Sequence, residues 1–382
     1  MVRRLKRRHD IDWLRVLAVL LLVPFHSALI FSLAPDDIVY VKDQVESPIL
    51  IQFAYFVHLW HMPLLFVLAG ASTWFALRFR TAGKYLEERF LRLVIPLVFA
   101  CTTLIPLMIY VQFLDKPDFD SFWQFYAQFF RIDFGDLSGY SGTFTPSHLW
   151  FVLFLFVFSV VALPLFLYLG RESGRRLIAA LATFFERRWA IFVLALPLAI
   201  AVALVDVGGK APLLYLSLFI YGYVWAADAR FQGIVDRHRI SALALGVIFT
   251  VAFHVLVSVG GNRVLIHILY YFSRWCWLIA ILGFGRGWLS RSGRLLSYLS
   301  EASYPFYILH MPINTIVGFF VIQWPVGVAV KYLVINVVTI LATYAVYEVL
   351  VKRVGVTRFL FGMKPKRCRT RHGLPHAVRQ ET

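Results

Sequence analysis

Apolar runs of 18 or more residues recur along this chain from one end to the other. A run of that length is long enough to cross a bilayer as a helix. In hydrocarbon every backbone N–H and C=O must find a partner within the protein, which helices supply internally. The recurrence therefore predicts an all-α, polytopic integral membrane protein. Ten spans are predicted, at approximately 11–34, 49–77, 93–114, 147–169, 190–206, 211–229, 240–259, 263–285, 299–320 and 325–350, with both termini inside. They form one transmembrane domain, 11–350, between a basic N-terminus (1–10) and a basic tail (351–382). With 15% charged residues against about 25% in soluble domains, the chain leaves no soluble domain large enough to fold alone.

A net charge of +17 could suggest nucleic acid, but its distribution argues for topology instead. Of the 38 Lys and Arg, 30 fall in segments placed inside. Six fall outside (Lys42, Lys116, Arg131, Lys210, Arg263 and Lys331), while Arg15 and Arg274 lie within spans. This is the positive-inside pattern. Some of the charge is also suited to anionic lipid or an anionic cytosolic substrate. The first segment has a second reading as a cleaved signal, with Ser32 and Ala34 at the cleavage site, although Asp12 and Arg15 interrupt its apolar core. Cys101, Cys276 and Cys368 lie apart, so their spacing fits neither a disulfide framework nor a zinc site. The aromatic-rich loop from Asp115 to Ser147 predicts an interfacial helix, and its stretch from Gly139 a flexible turn.

Ionisable groups inside spans need a reason, because they are expensive there. Arg15 and His26 are eleven residues apart on the first span. At about 100° per residue this is roughly three turns, so both point to one face, about 16 Å apart. His61 lies at a depth similar to His26, His148 begins the fourth span, and His310 sits halfway through the ninth. With His58, these five histidines could converge on one outward-facing chamber. Several readings stand. His58 and His61 could share a metal, though no carboxylate or cysteine accompanies them at helical spacing. The histidines could form a transporter's proton relay. They could simply hydrogen-bond between helices, the reading given to His254 and His267. Finally, a buried neutral imidazole can take a proton from an attacking hydroxyl, the reading favoured for His26 with Arg15 and for His310. Arg89 and Arg92, at i and i+3 before the third span, are either a positive-inside anchor or a phosphate clamp.

Four motifs in order resemble the membrane-bound acyltransferase-3 family. Arg15 and His26 match its R-x10-H pattern, and Arg89-x-x-Arg92 followed by Pro96 its R-x-x-R element. Phe66-Val67-Leu68-Ala69-Gly70 is similar to its FFxLSG stretch, with Ala69 where Ser is usual. Ser303-Tyr304-Pro305-Phe306-Tyr307-Ile308-Leu309-His310 resembles its late S-Y-x-x-Y-L-x-H helix. Val23 to Ile30 and His148-Leu149-Trp150-Phe151 are similar to the glucan biosynthesis protein C branch, whose members are thought to succinylate periplasmic glucans.

The resemblance implies transfer of an acetyl or succinyl group from cytosolic acyl-coenzyme A to a hydroxyl of an extracytoplasmic glycan or glycolipid. It implies a multi-pass protein of the bacterial inner membrane, with acyl-coenzyme A as co-substrate, no tightly bound cofactor and no metal. On that basis His26 is general base or acyl relay, His310 a second catalytic group, and Arg15 the holder of the thioester end or of His26, with Asp12 as its partner. Arg89 and Arg92, with Arg78 and Arg274, would bind the donor, and Arg274 could meet a succinyl carboxylate. His61, His148 and His58 would line the acceptor side. The lipid bilayer, the donor and the glycan are the expected partners, with no nucleic acid; oligomeric state is not readable. The alternative is a secondary transporter or flippase for a glycan or organic anion. Such folds often carry symmetric broken helices, and Pro24, Pro63, Pro197 and Pro312 make no symmetric pair.

Overall fold

The computed structural model describes residues 7–32, 39–116 and 118–364. Ala34 and Cys368, and with them most of the basic N-terminus and of the tail, lie outside these residues. The chain is all-α: α1 (His9–Leu29), α2 (Pro48–Leu77), α3 (Ala82–Phe113), α4 (Phe122–Phe129), α5 (Ser147–Val161), α6 (Leu163–Gly170), α7 (Glu172–Phe185), α8 (Ala190–Leu204), α9 (Pro212–Ala227), α10 (Ala229–Ser258), α11 (Arg263–Trp288), α12 (Arg294–Val321), α13 (Val328–Val351) and α14 (Gly355–Leu360).

Helix starts follow local chemistry. Thr81, Ser121, Asp228 and Asn262 each accept a hydrogen bond from a backbone N–H of the first turn. Pro48 and Pro212 occupy first-turn positions, where their missing N–H is no loss.

Seven of the ten expected spans are single helices long and apolar enough to cross a membrane: α1, α2, α3, α10, α11, α12 and α13. The other three depart from straight spans. The fourth is broken into α5 and α6, bent by 51°; Pro164, in the first turn of α6, has no N–H to continue the α5 ladder. The fifth, α8, is joined to the amphipathic α7 by a 118° turn through Arg187–Trp189, where Trp189 is left-handed at φ +69°. The sixth, α9, is a shorter apolar helix. The described residues thus hold seven helices long and apolar enough to cross a membrane, or up to nine if each bent pair is one span.

Burial separates centre from periphery. In the most apolar window of α2 72% of residues are buried, and 67% in α12, against 11% in α10. The first two therefore form the core with α1, while Ile248, Val251 and Val255 of α10 stay exposed, as a lipid-facing helix requires. The expected interfacial helix is α4, which buries Phe125 and Phe129 and exposes Trp123. Lys331, assigned above to the outside charges, is a buried residue of α13. Its Nζ lies 2.6 Å from Asp43 and donates to the Ile322 carbonyl at 2.7 Å.

Candidate functional site

Four helices that meet in the core each run from the wall of one cavity to a histidine. From the N-terminal end of the bundle inward, α1 presents Arg15, Val19 and then His26. The returning α2 presents Ser72, Ala69, Leu65 and then His61. On α5 the order is Leu155, Val152, His148, and on α12 it is Glu301, Tyr304, Tyr307, His310. The charged and apolar members line a cavity of about 570 Å³. The histidines lie beyond its apolar end, three to seven residues further along each helix. At 1.5 Å per residue that is roughly 5–10 Å.

The mouth is cationic. Arg15 donates to Ser72 Oγ at 2.7 Å and pairs with Asp12 at 3.5 Å, as its i,i+3 spacing suggested. Arg80 pairs with Glu88 at 2.9 Å. Arg89 donates to Thr73 Oγ1 at 3.0 Å and stacks 5.1 Å from the Tyr85 ring centre. Arg92, in the π turn Phe90–Val94 that interrupts α3, lines the cavity beside Arg89. Lys364, in the basic segment after the last span, completes the set. Arg358 fastens that segment, bonding Glu301 at 3.1 Å and the Lys364 carbonyl at 2.9 Å. Gly362 lets it pack close: at φ +65° it takes a left-handed turn, and a Cβ there would meet the Arg92 carbonyl at 2.8 Å. Two residues expected with this group lie elsewhere. Arg78 stacks on Trp74, and Arg274 is buried on α11, neither of them in the cavity wall.

Beyond the apolar end, His310 sits between His26 and His148, with ring centres 5.4 Å from each. A carbonyl only accepts, so a ring nitrogen bonded to one must carry the proton. His61 Nε2–H donates to the Ala18 carbonyl at 2.6 Å, His148 Nε2–H to Ile308 at 3.2 Å, and His310 Nδ1–H to Tyr307 at 2.7 Å. His148 Nδ1 and His310 Nε2 are thereby left as lone pairs, buried and without a partner among the described residues, and His26 Nδ1 is likewise buried without one. Tyr307 joins the two halves of the site: it lines the cavity, and its hydroxyl donates to the His148 carbonyl. His58 stands further out, stacked with Phe25 at 6.3 Å. His267 bonds the Ala199 carbonyl at 2.9 Å, the interhelical role expected of it.

Two prolines explain how polar side chains are held so deep. Proline has no N–H, so it orphans the carbonyl four residues earlier. Pro312 orphans Ile308, and His148 takes that carbonyl. Pro63 orphans Leu59, and Arg274 Nε takes that one at 2.7 Å. Arg274 is further held by the Tyr270 hydroxyl at 3.0 Å and by the faces of Tyr270 and Tyr271. In a Pro312→Ala variant the new N–H competes for the Ile308 carbonyl. Nitrogen NMR of labelled histidine is expected to show His148 moving from one Nε2–H tautomer to a mixture; an unchanged tautomer would refute the lock.

A loop covers the far end. Ser147, next to His148, has φ +45°, a strained conformation of the kind that gathers at functional sites. Its Oγ lies 3.2 Å from the Tyr40 hydroxyl, which also donates to the Ser138 carbonyl at 2.9 Å. The turn expected from Gly139 is ordered around Asp136. Partial burial raises the pKa of this carboxyl, but hydrogen bonds from Ser138, Ser141 and the Ser141 and Gly139 N–H groups outweigh it and bring it down to about 2.

Cys101 and Cys276 are buried free thiols. Among the described residues, no three His, Cys, Asp or Glu side chains come together as a metal-holding group. No curated protein and no solved structure matches the chain. Residues 8–348 match the family described as an acyltransferase domain, a stretch that contains the histidines and every cation of the mouth except Lys364, and the chain belongs to this acyltransferase-3 family of membrane proteins.

Proposed function

We propose that the protein moves an acyl group from cytosolic acyl-coenzyme A to a hydroxyl of a glycan or glycolipid on the opposite side of the inner membrane. The observation that carries this reading is a cavity with a cationic mouth and an apolar inner wall, whose four lining helices each lead on to a histidine. That order suits a donor with phosphates at one end and a thioester at the other. The excess of basic residues at the mouth supports a cytosolic position for that end under the positive-inside rule.

Arg89, Arg92, Arg80 and Lys364 bind the donor's phosphates. Arg15, oriented by Ser72 and Asp12, sits where the thioester arm leaves the mouth. His26 is the general base. Its ring takes the hydroxyl proton as the acceptor oxygen attacks the thioester carbonyl; the intermediate collapses, the C–S bond breaks, and the thiolate leaves with a proton. His310, against His26, is the second catalytic group and steadies the imidazolium through its bare Nε2 or shares its proton. His61, His148 and His58 line the acceptor side.

Arg92 makes no hydrogen bond or ion pair among the described residues, so its charge is available for a ligand. A charge-assisted hydrogen bond contributes about 1.5–3 kcal/mol, so Arg92→Ala is expected to weaken coenzyme A binding by roughly 10–100-fold. Calorimetry on protein in nanodiscs reads this directly. Unchanged affinity would remove Arg92 from the donor site.

A further inference from the structure

We infer a second binding site: a cationic groove between the start of α1 and the end of α2 that holds the headgroup of an anionic phospholipid. The site stands on its own residues and does not depend on the transfer reading above.

The groove is a separate cavity of about 280 Å³. Arg7, Arg8 and Arg15, with Asp12, make its charged part, and Ile11, Phe75 and Phe79 its apolar part. Helical register puts them together. Arg8, Ile11 and Arg15 follow one another at steps of three and four residues, so they share a face at the start of α1. Ser72, Phe75 and Phe79 repeat those steps along the last turns of α2 and into the turn that follows it.

The charges are arranged for an anion. Arg8 is the fixed back wall. It grips the buried Asp10 at 2.6 and 2.8 Å, bonds Gln232 at 2.8 Å and lies over the Trp225 ring. The other two guanidiniums share one carboxylate: Asp12 accepts from Arg7 Nε at 2.8 Å and lies 3.5 Å from Arg15. The surplus positive charge therefore sits at the Arg7–Asp12–Arg15 end. Arg15 is steadied by Ser72 Oγ at 2.7 Å, whereas the Arg7 side chain is 60% exposed and can turn to a ligand. Guanidinium groups pair with phosphate oxygens through parallel hydrogen bonds.

The apolar part argues for a lipid. Phe79 is 68% exposed beside these cations. A ring in that position suits an amphiphile whose phosphate meets the arginines while its chains stay in the bilayer. Basic pockets between helices on the cytosolic side of a membrane bind anionic headgroups in this way. The donor's phosphates have cations of their own in the larger cavity, across the Arg15–Ser72 pair that lines both.

The test uses the full chain in detergent micelles. Native mass spectrometry reads the binding of phosphatidylglycerol and of phosphatidylcholine with identical chains, with inorganic phosphate and coenzyme A as competitors. One phosphatidylglycerol is expected to bind at least about 10-fold more tightly than phosphatidylcholine, and Arg7→Ala to abolish that preference. Phe79→Ser should weaken both lipids. Arg7 and Phe79 are exposed, so neither change threatens the fold. Arg176→Ala, which removes a 78% exposed cation on α7, should leave the preference intact. Equal binding of the two lipids, or an equal loss in Arg176→Ala, overturns the site and leaves only the general attraction of a basic surface. Displacement of phosphatidylglycerol by equimolar phosphate or coenzyme A assigns the groove to a soluble phosphate and overturns the lipid.

Discussion

Replacing His26 by Ala is expected to lower acyl transfer by roughly 10²–10⁴-fold while leaving donor affinity unchanged. Positioned proton transfer is worth about that much, and the cations proposed to bind coenzyme A lie at the mouth, away from His26. The separation matters because a folding defect would lower both quantities together. The residue next to it sharpens the test. His310 Nδ1–H is tied to the Tyr307 carbonyl, and its ring centre lies 5.4 Å from that of His26. If the two rings act as one unit, their effects do not add. His310→Ala should then fall in the same range, and the double variant should be little worse than His26→Ala alone. Losses that multiply would assign the rings independent tasks. Full thioester turnover by a folded His26→Ala protein would remove the imidazole from the chemistry.

The convergence of His26, His61, His148 and His310 was legible from residue counting, because helical rise converts sequence position into depth. The ten segments predicted as spans are all helical, seven of them as single helices long and apolar enough to cross. Counting could not find the breaks. The bend before α6 depends on Pro164, and the turn before α8 on a left-handed Trp189. Partners across helices were the larger loss. Pro63 and Pro312 looked like points of weakness in spans, yet each frees the carbonyl that holds a polar side chain from another helix. Lys331 reads as a solvated charge, and only the fold shows it buried against Asp43, distant in sequence. The wall built by Arg358, Gly362 and Lys364 carries no periodic signal at all. Its one local hint is a glycine followed shortly by proline, a common way to end a helix.

Gly222→Ala and Gly70→Ala are expected to be the most damaging small substitutions in the fold. Helices α2 and α9 cross with their backbones in contact, and the two glycines sit on either side of the crossing. A Cβ at Gly222 would stand 1.9 Å from the Val67 carbonyl oxygen, and one at Gly70 the same distance from that of Phe219. Neither neighbour is a flexible tip that can swing away. The helices must separate, which in a packed interior costs about 1–3 kcal/mol. Small residues are the usual means of bringing membrane helices so close. The consequence reaches the site, because α2 carries Ser72, Ala69, Leu65 and His61 on the turns around Gly70. A shift of about 1 Å there can cost roughly 100-fold in rate. Gly233 supplies the control. It is also helical, on α10, but a Cβ at that position meets nothing within 4 Å. Gly233→Ala should therefore be neutral or stabilise by up to about 1 kcal/mol. Thermal unfolding of the three variants in one detergent separates the effects. A Gly222→Ala protein as stable as Gly233→Ala would mean that the helices do not touch there, and that the depth of His61 is set by something other than this crossing.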